Sequence, residues 1–121
     1  MKLHFQINSS TGCLSFIRGV FFASGLSRAA ARSCAYAMVE AVNNAIFHAH
    51  KCIEDKIIDI RIFVGEKRVT MEVGDSGDGF DLDAVKKPSI DQIAGRGIFI
   101  IRSLVERVEY KDNILRMIYE R

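Results

Sequence analysis

Two runs near the centre of the chain, Asp59-Ile60-Arg61-Ile62-Phe63-Val64 and Arg68-Val69-Thr70-Met71-Glu72-Val73, alternate polar and apolar residues. Alternation of this kind belongs to strands that bury one face and leave the other in water. Only Gly65-Glu66-Lys67 separates the two runs, which makes them an antiparallel hairpin. The opening Lys2-Leu3-His4-Phe5-Gln6-Ile7 alternates in the same way and reads as another half-buried strand. Between them, Phe16, Ile17, Val20 and Phe21 fall at helical spacing within a segment from Cys13 to about Ser24. Gly25 closes that helix, and Ser27 is placed to cap a second, alanine-rich helix from about Arg28 to His50. A third helix is expected at about Gly97–Arg107. A last hairpin follows, formed by Val108-Glu109-Tyr110 and the run from Ile114 to Tyr119 and turning at Asp112-Asn113. Residues 77–96 hold the chain's one proline, Pro88, and no clean periodicity, and so read as a long loop of a length that usually has a function. The order is two helices after a first strand, a hairpin, the long loop, then a helix and a second hairpin. This predicts an α+β fold, a two-layer α/β sandwich with helices on one face of a mostly antiparallel sheet.

A chain of 121 residues is one domain, expected here to span 1–121, and it can bury a core without covalent staples. A net charge of +2 is too small to argue for nucleic acid or a membrane surface as partner. Cys13, Cys34 and Cys52 are odd in number and form no Cys-x-x-Cys pair, so they read as reduced thiols rather than a disulfide frame or zinc site. Residues 1–7 carry no apolar targeting core, and no apolar run approaches the ~20 residues of a membrane helix. The expected compartment is the cytoplasm.

Three segments carry chemistry. On the second helix, Glu40, Asn44 and His48 recur every four residues and form one polar stripe, with Met38, Val42, Ala45, Ile46 and Ala49 lying away from it. Such a stripe is either a solvated helix face or a site. An Asn oxygen suits Mg²⁺, and a Glu one turn away suits a general base. In Val73-Gly74-Asp75-Ser76-Gly77-Asp78-Gly79-Phe80-Asp81, a tight turn is the plain reading. A calcium loop fails, because the positions before Gly79 that should hold ligands are Asp78, Ser76 and Gly74. Asp75 at a strand end also suits an acceptor for an adenine amino group. Gly95-Arg96-Gly97 precedes a helix but follows no strand, so it is not a dinucleotide fingerprint. Two glycines at a helix start still suit an anion, to which Arg96 adds charge.

Taken together and in this order, Glu-x-x-x-Asn-Ala-x-x-His-Ala, Asp-x-Gly-x-Gly-Phe and Gly-x-Gly-Ile-x-Ile-Ile resemble the GHKL (Bergerat-fold) ATPase superfamily. The compact size and the run Gly-Arg-Gly-Ile-Phe-Ile-Ile-Arg-Ser-Leu-Val look most like its anti-sigma-factor serine kinase branch. The resemblance implies ATP and Mg²⁺ as cofactors, with Glu40 as catalytic base and Asn44 as Mg²⁺ ligand. Asn44, His48, Asp75, Gly77, Gly79, Gly95, Arg96 and Gly97 would bind the nucleotide, Asp75 meeting the adenine amino group. The loop from about Asp81 to Ala94 would be the ATP lid. It further implies two partners, a small antagonist protein carrying the target serine and a sigma factor, and homodimers formed through the N-terminal strand and first helix. Arg18, on that helix, would be a partner contact. Two other functions fit the same boxes. One is a non-catalytic regulator that binds its partner with nucleotide as a structural ligand. The other is the ATPase domain of a histidine kinase, ranked lower because no phosphoacceptor helix pair precedes the domain. The family usually carries Gly-Thr in its last hairpin, whose Thr supports the adenine-binding Asp. Here the hairpin reads Lys111-Asp112-Asn113-Ile114-Leu115.

Overall fold

The computed structural model describes residues 1–8, 14–46, 57–74 and 93–121, the side chains of 93–96 excepted. The elements are β1 (Lys2–Asn8), α1 (Leu14–Phe22), α2 (Arg28–Asn44), β2 (Ile57–Val64), β3 (Arg68–Gly74), α3 (Ile93–Leu104), β4 (Arg107–Lys111) and β5 (Ile114–Glu120). All four strand pairings are antiparallel, and the sheet order is β1-β2-β3-β5-β4. This is the predicted α+β sandwich.

Alternation in the sequence becomes two-facedness in space. Leu3, Phe5 and Ile7 of β1 lie opposite Ile62, Ile60 and Ile58 of β2. That row continues through Met71 and Val73 of β3 to Met117 and Leu115 of β5. The interior residues of the row are buried and form the floor of the core. The helices roof it: Ile17 and Phe21 of α1, Met38 and Val42 of α2, and Ile98 and Ile101 of α3 are all buried in the same cluster. Phe5 and Phe16 meet edge to face at 5.5 Å, joining α1 to β1 at the margin.

The opposite face of the sheet is charged. His4 Nε2 lies 2.8 Å from Asp59 Oδ1, and Arg61 Nε lies 3.4 Å from Asp59 Oδ2. Arg61 approaches Glu72 at 4.0 Å, and Glu72 holds Arg116 at 2.7 Å. Arg116 reaches Glu109 at 3.9 Å, and Glu109 reaches Arg107 at 3.5 Å. The row touches all five strands. Burial would raise the Asp59 carboxyl, but hydrogen bonds from His4 and Gln6, with the charges of His4 and Arg61, outweigh it and hold the group below its ordinary value.

Local signals act where expected. The Ser27 hydroxyl accepts from the Ala30 N–H at 3.1 Å and caps α2. Gly25 takes φ +85°, a conformation open to glycine after a helix. Asp112 and Asn113 have φ of 53° and 62°, the left-handed pair that a two-residue hairpin needs. One boundary differs. The third helix starts at Ile93, a turn before the expected Gly97, and ends at Leu104, so Gly95, Arg96 and Gly97 lie within it and 93–96 do not belong to the loop.

Candidate functional site

Helix α2 runs between α1 and α3 above the sheet, and its small residues allow close approach. Ala30, Ala31, Ala35, Ala37, Ala41 and Ala45 are all buried. Met38, Val42, Ala45 and Ile46 face the core, as the stripe pattern requires; Ala49 lies outside the described residues. Past Asn44, Ala45 and Ile46 are π-helical, while the Ala45 N–H itself is shared between the carbonyls of Ala41 and Val42. Turns of that kind recur at functional sites.

Asn44 is not on a solvated face. Only 8% of it is exposed, and among the described residues its Nδ2 has no hydrogen-bond partner. A buried amide without a partner is costly unless something else engages it. The Asn44 side chain lies against α3 at Gly97. A Cβ built there would stand 2.8 Å from Oδ1 and 3.0 Å from Nδ2 of Asn44, so the space is available only because residue 97 has no side chain. Two boxes 53 positions apart thus meet in one contact.

Glu40 sits one turn before Asn44 on α2, half-buried, and burial raises its carboxyl above the ordinary value. It closes one end of a groove of about 470 Å³ between α1 and α2, which Arg18 also lines. Asn43 shares that end; its Oδ1 is buried with no donor among the described residues. The sequence reading passed over Asn43. The signal was present, since an Asn three residues after Glu40 shares its face of the helix.

The structure therefore brings Asn44 and Gly97 together, with Glu40 one helical turn before Asn44 on α2. Gly95 and Arg96 lie in the first turn of α3, where amides lack intrahelical acceptors. His48, Asp75, Gly77, Gly79 and the proposed lid from Asp81 up to residue 92 lie outside the described residues, as does the side chain of Arg96. Asp75 follows Gly74, the last residue of the central strand β3, which pairs with Ile114 of β5. The last hairpin thus sets Ile114, and no Thr, beside the end of β3. Among the described residues no group of three His, Cys, Asp or Glu side chains could hold a metal, and no helix is long and apolar enough to cross a membrane.

Residues 8–119 match the family model described as the histidine kinase-like ATPase domain. The chain belongs to this family. Its relatives include the serine-protein kinase RsbW of Listeria monocytogenes, 30% identical over 110 residues that cover 83% of this chain and 69% of the relative. The serine-protein kinase RsbW of Staphylococcus aureus is 30% identical over 127 residues, covering 92% of this chain and 80% of its own. The likeness to the GHKL superfamily and its serine kinase branch, read from three short boxes, is borne out.

Proposed function

We propose that this chain is an ATP-dependent protein serine kinase of the anti-sigma-factor type. It acts in the cytoplasm as a homodimer, phosphorylates a serine on a small antagonist protein, and binds a sigma factor to regulate transcription. The observation that carries the reading is the buried Asn44 set against Gly97 of α3, one turn beyond Glu40, in a family whose matching relatives are named serine-protein kinases.

Each residue has a task suited to its setting. The Glu40 carboxylate takes the proton of the serine hydroxyl, whose oxygen bonds to the γ-phosphorus as the bond to the β–γ bridging oxygen breaks and ADP leaves. A base whose affinity for protons is raised by burial is better matched to that task than an ordinary surface carboxylate. Asn44 offers in its Oδ1 the kind of oxygen that Mg²⁺ takes, few protein groups being needed where the nucleotide holds the ion, and its unpartnered Nδ2 is a donor suited to a phosphate oxygen. The ion supplies positive charge beside the phosphate oxygens. Asp75 accepts from the adenine amino group, with Gly77 and Gly79 leaving space for the ring. His48 and the start of α3, through Gly95, Arg96 and Gly97, meet the phosphates.

A second reading rests on one observation. Ile114 cannot give the hydrogen bond that a Thr hydroxyl gives to the neighbouring Asp. That favours a partner-binding regulator with weakened nucleotide chemistry. Incubation with labelled ATP and candidate antagonists separates the two. The kinase reading expects phosphoserine on the antagonist, and a loss of roughly 10²–10⁴-fold in transfer for Glu40→Ala with ATP affinity held within a few-fold. Transfer at the wild-type rate by the variant removes Glu40 from the role of base. No transfer to any antagonist by the wild type leaves the regulator.

A further inference from the structure

Two consecutive amides at the end of α2 each bury one atom that has no partner among the described residues, and they do so on different sides of the helix. Asn44 faces α3 at Gly97, whereas Asn43 faces α1 in the groove that Glu40 closes. The orphan on Asn43 is its acceptor, Oδ1. The groove does hold donors. Arg18 of α1 and Arg32 and Tyr36 of α2 line it, yet none of them bonds to this oxygen. Glu40 stands three residues before Asn43, and side chains at that spacing are neighbours, with Cβ atoms about 5–6 Å apart. As a carboxylate, Glu40 has no hydrogen to give; as a carboxylic acid it has one. The acceptor without a donor thus lies beside the group that becomes a donor when it takes a proton.

We propose that Asn43 is a positioning residue for Glu40, its Oδ1 receiving the carboxylic O–H that forms when Glu40 takes the serine proton. The proposal rests on the kinase reading above for the source of that proton. The hydroxyl proton passes to one Glu40 oxygen as the serine oxygen bonds to the γ-phosphorus and the bridging oxygen leaves with ADP. Asn43 takes no proton itself. It turns the new O–H into the groove wall and away from the phosphate oxygens. Because the bond forms only with the protonated acid, it stabilises the later stage of transfer and adds nothing to substrate binding. Burial of Glu40 acts in the same direction. Arg18 and Arg32 act against it, since cations in the groove favour the carboxylate, and the Asn43 acceptor offsets them.

Asn43→Leu nearly keeps the size of the side chain and removes the acceptor. Its first readout needs no substrate. Urea midpoints are measured for wild type, Asn43→Leu, Glu40→Ala and the double variant, in mild acid and near neutrality. The hydrogen bond exists only with protonated Glu40, so the two positions should be coupled in mild acid and independent near neutrality. No coupling in acid, or the same coupling at both pH values, overturns the proposal. The second readout is transfer from labelled ATP to the antagonist. Asn43→Leu should lower kcat about ten-fold, the worth of one hydrogen bond to a carboxyl, with KM for ATP and antagonist held within about two-fold. The acid limb of its pH profile should move to lower pH. In Asn43→Asp, where a like charge faces Glu40, the limb should move to higher pH. Transfer by Asn43→Leu at the wild-type rate, or limbs that move the same way in both variants, overturns the proposal and leaves the kinase reading intact. Coupling in acid without transfer to any antagonist by the wild type keeps the hydrogen bond and removes the kinase reading.

Discussion

The contact between Gly97 and Asn44 makes a prediction that can be worked from distances. In Gly97→Ala the new Cβ falls 2.8 Å from Asn44 Oδ1 and 3.0 Å from Nδ2, closer than non-bonded carbon approaches such atoms. Asn44 is buried and cannot simply swing into water, so either the amide or α3 must give. Overpacking of this kind costs about 1–3 kcal/mol. Against it stands the helix preference of Ala over Gly within α3, about 1 kcal/mol. The net expected loss is therefore about 0–2 kcal/mol. In an Asn44→Ala background the obstacle is gone and only the gain remains, so Gly97→Ala should there stabilise by about 1 kcal/mol. The coupling between the two positions is then about 1–3 kcal/mol, well above the scatter expected of independent sites. Thermal unfolding of the four proteins without nucleotide measures it, each kcal/mol shifting Tm by roughly 3–5 °C in a domain of this size. If Gly97→Ala changes stability equally in both backgrounds, the steric argument is wrong.

On the proposed role of Asp75 as acceptor for the adenine amino group, Asp75→Asn should weaken ATP binding by a few kcal/mol, because the new side chain can present a donor in place of the acceptor. Calorimetry that finds ATP and GTP bound equally by the wild type would contradict the assignment. Glu40→Gln should gain stability over wild type as pH rises. The folded-state carboxyl is raised by burial, so its stabilising protonated form is complete in mild acid and is lost as pH climbs through the raised value. Urea midpoints should therefore coincide in mild acid and diverge near neutrality, and parallel curves would refute this. Cys34 is pushed up to about 12 by burial, with Glu106 adding repulsion, so the folded chain should resist alkylation there. Mass spectrometry that finds Cys34 modified as fast in the native as in the urea-unfolded chain would show the helix pair to be open.

Elements whose signals are local were legible in the sequence. Ser27 caps its own helix three residues on, and Asp112-Asn113 sits between strands it can turn by itself. The period-two runs of β2 and β3 named both the hairpin and its buried face. The start of α3 was not legible, because Gly95 and Gly97 read as a break when judged by propensity alone. Gly97 is tolerated inside the helix for a reason 53 residues away, the bulk of Asn44. Of the site, Glu40 and Asn44 were visible as a stripe, but whether that stripe faced water or protein depended on α3 lying over it. Asn43 and Arg32 carry no motif, and they gain interest only from sharing a groove with α1.

The row of charges across the outer sheet face has a consequence for alignment. Each exposed ion pair is worth little, a fraction of a kcal/mol. Position matters more than strength. Glu72 lies directly opposite Arg61 on one side and Arg116 on the other, and Arg116 lies opposite Glu109. Sliding any one strand by a single residue turns its isoleucines or valines to water and at once sets its charges against apolar neighbours. The row thus works as a key cut across five strands. It adds little to the depth of the folded basin, yet it leaves the misthreaded sheets without a matching lock.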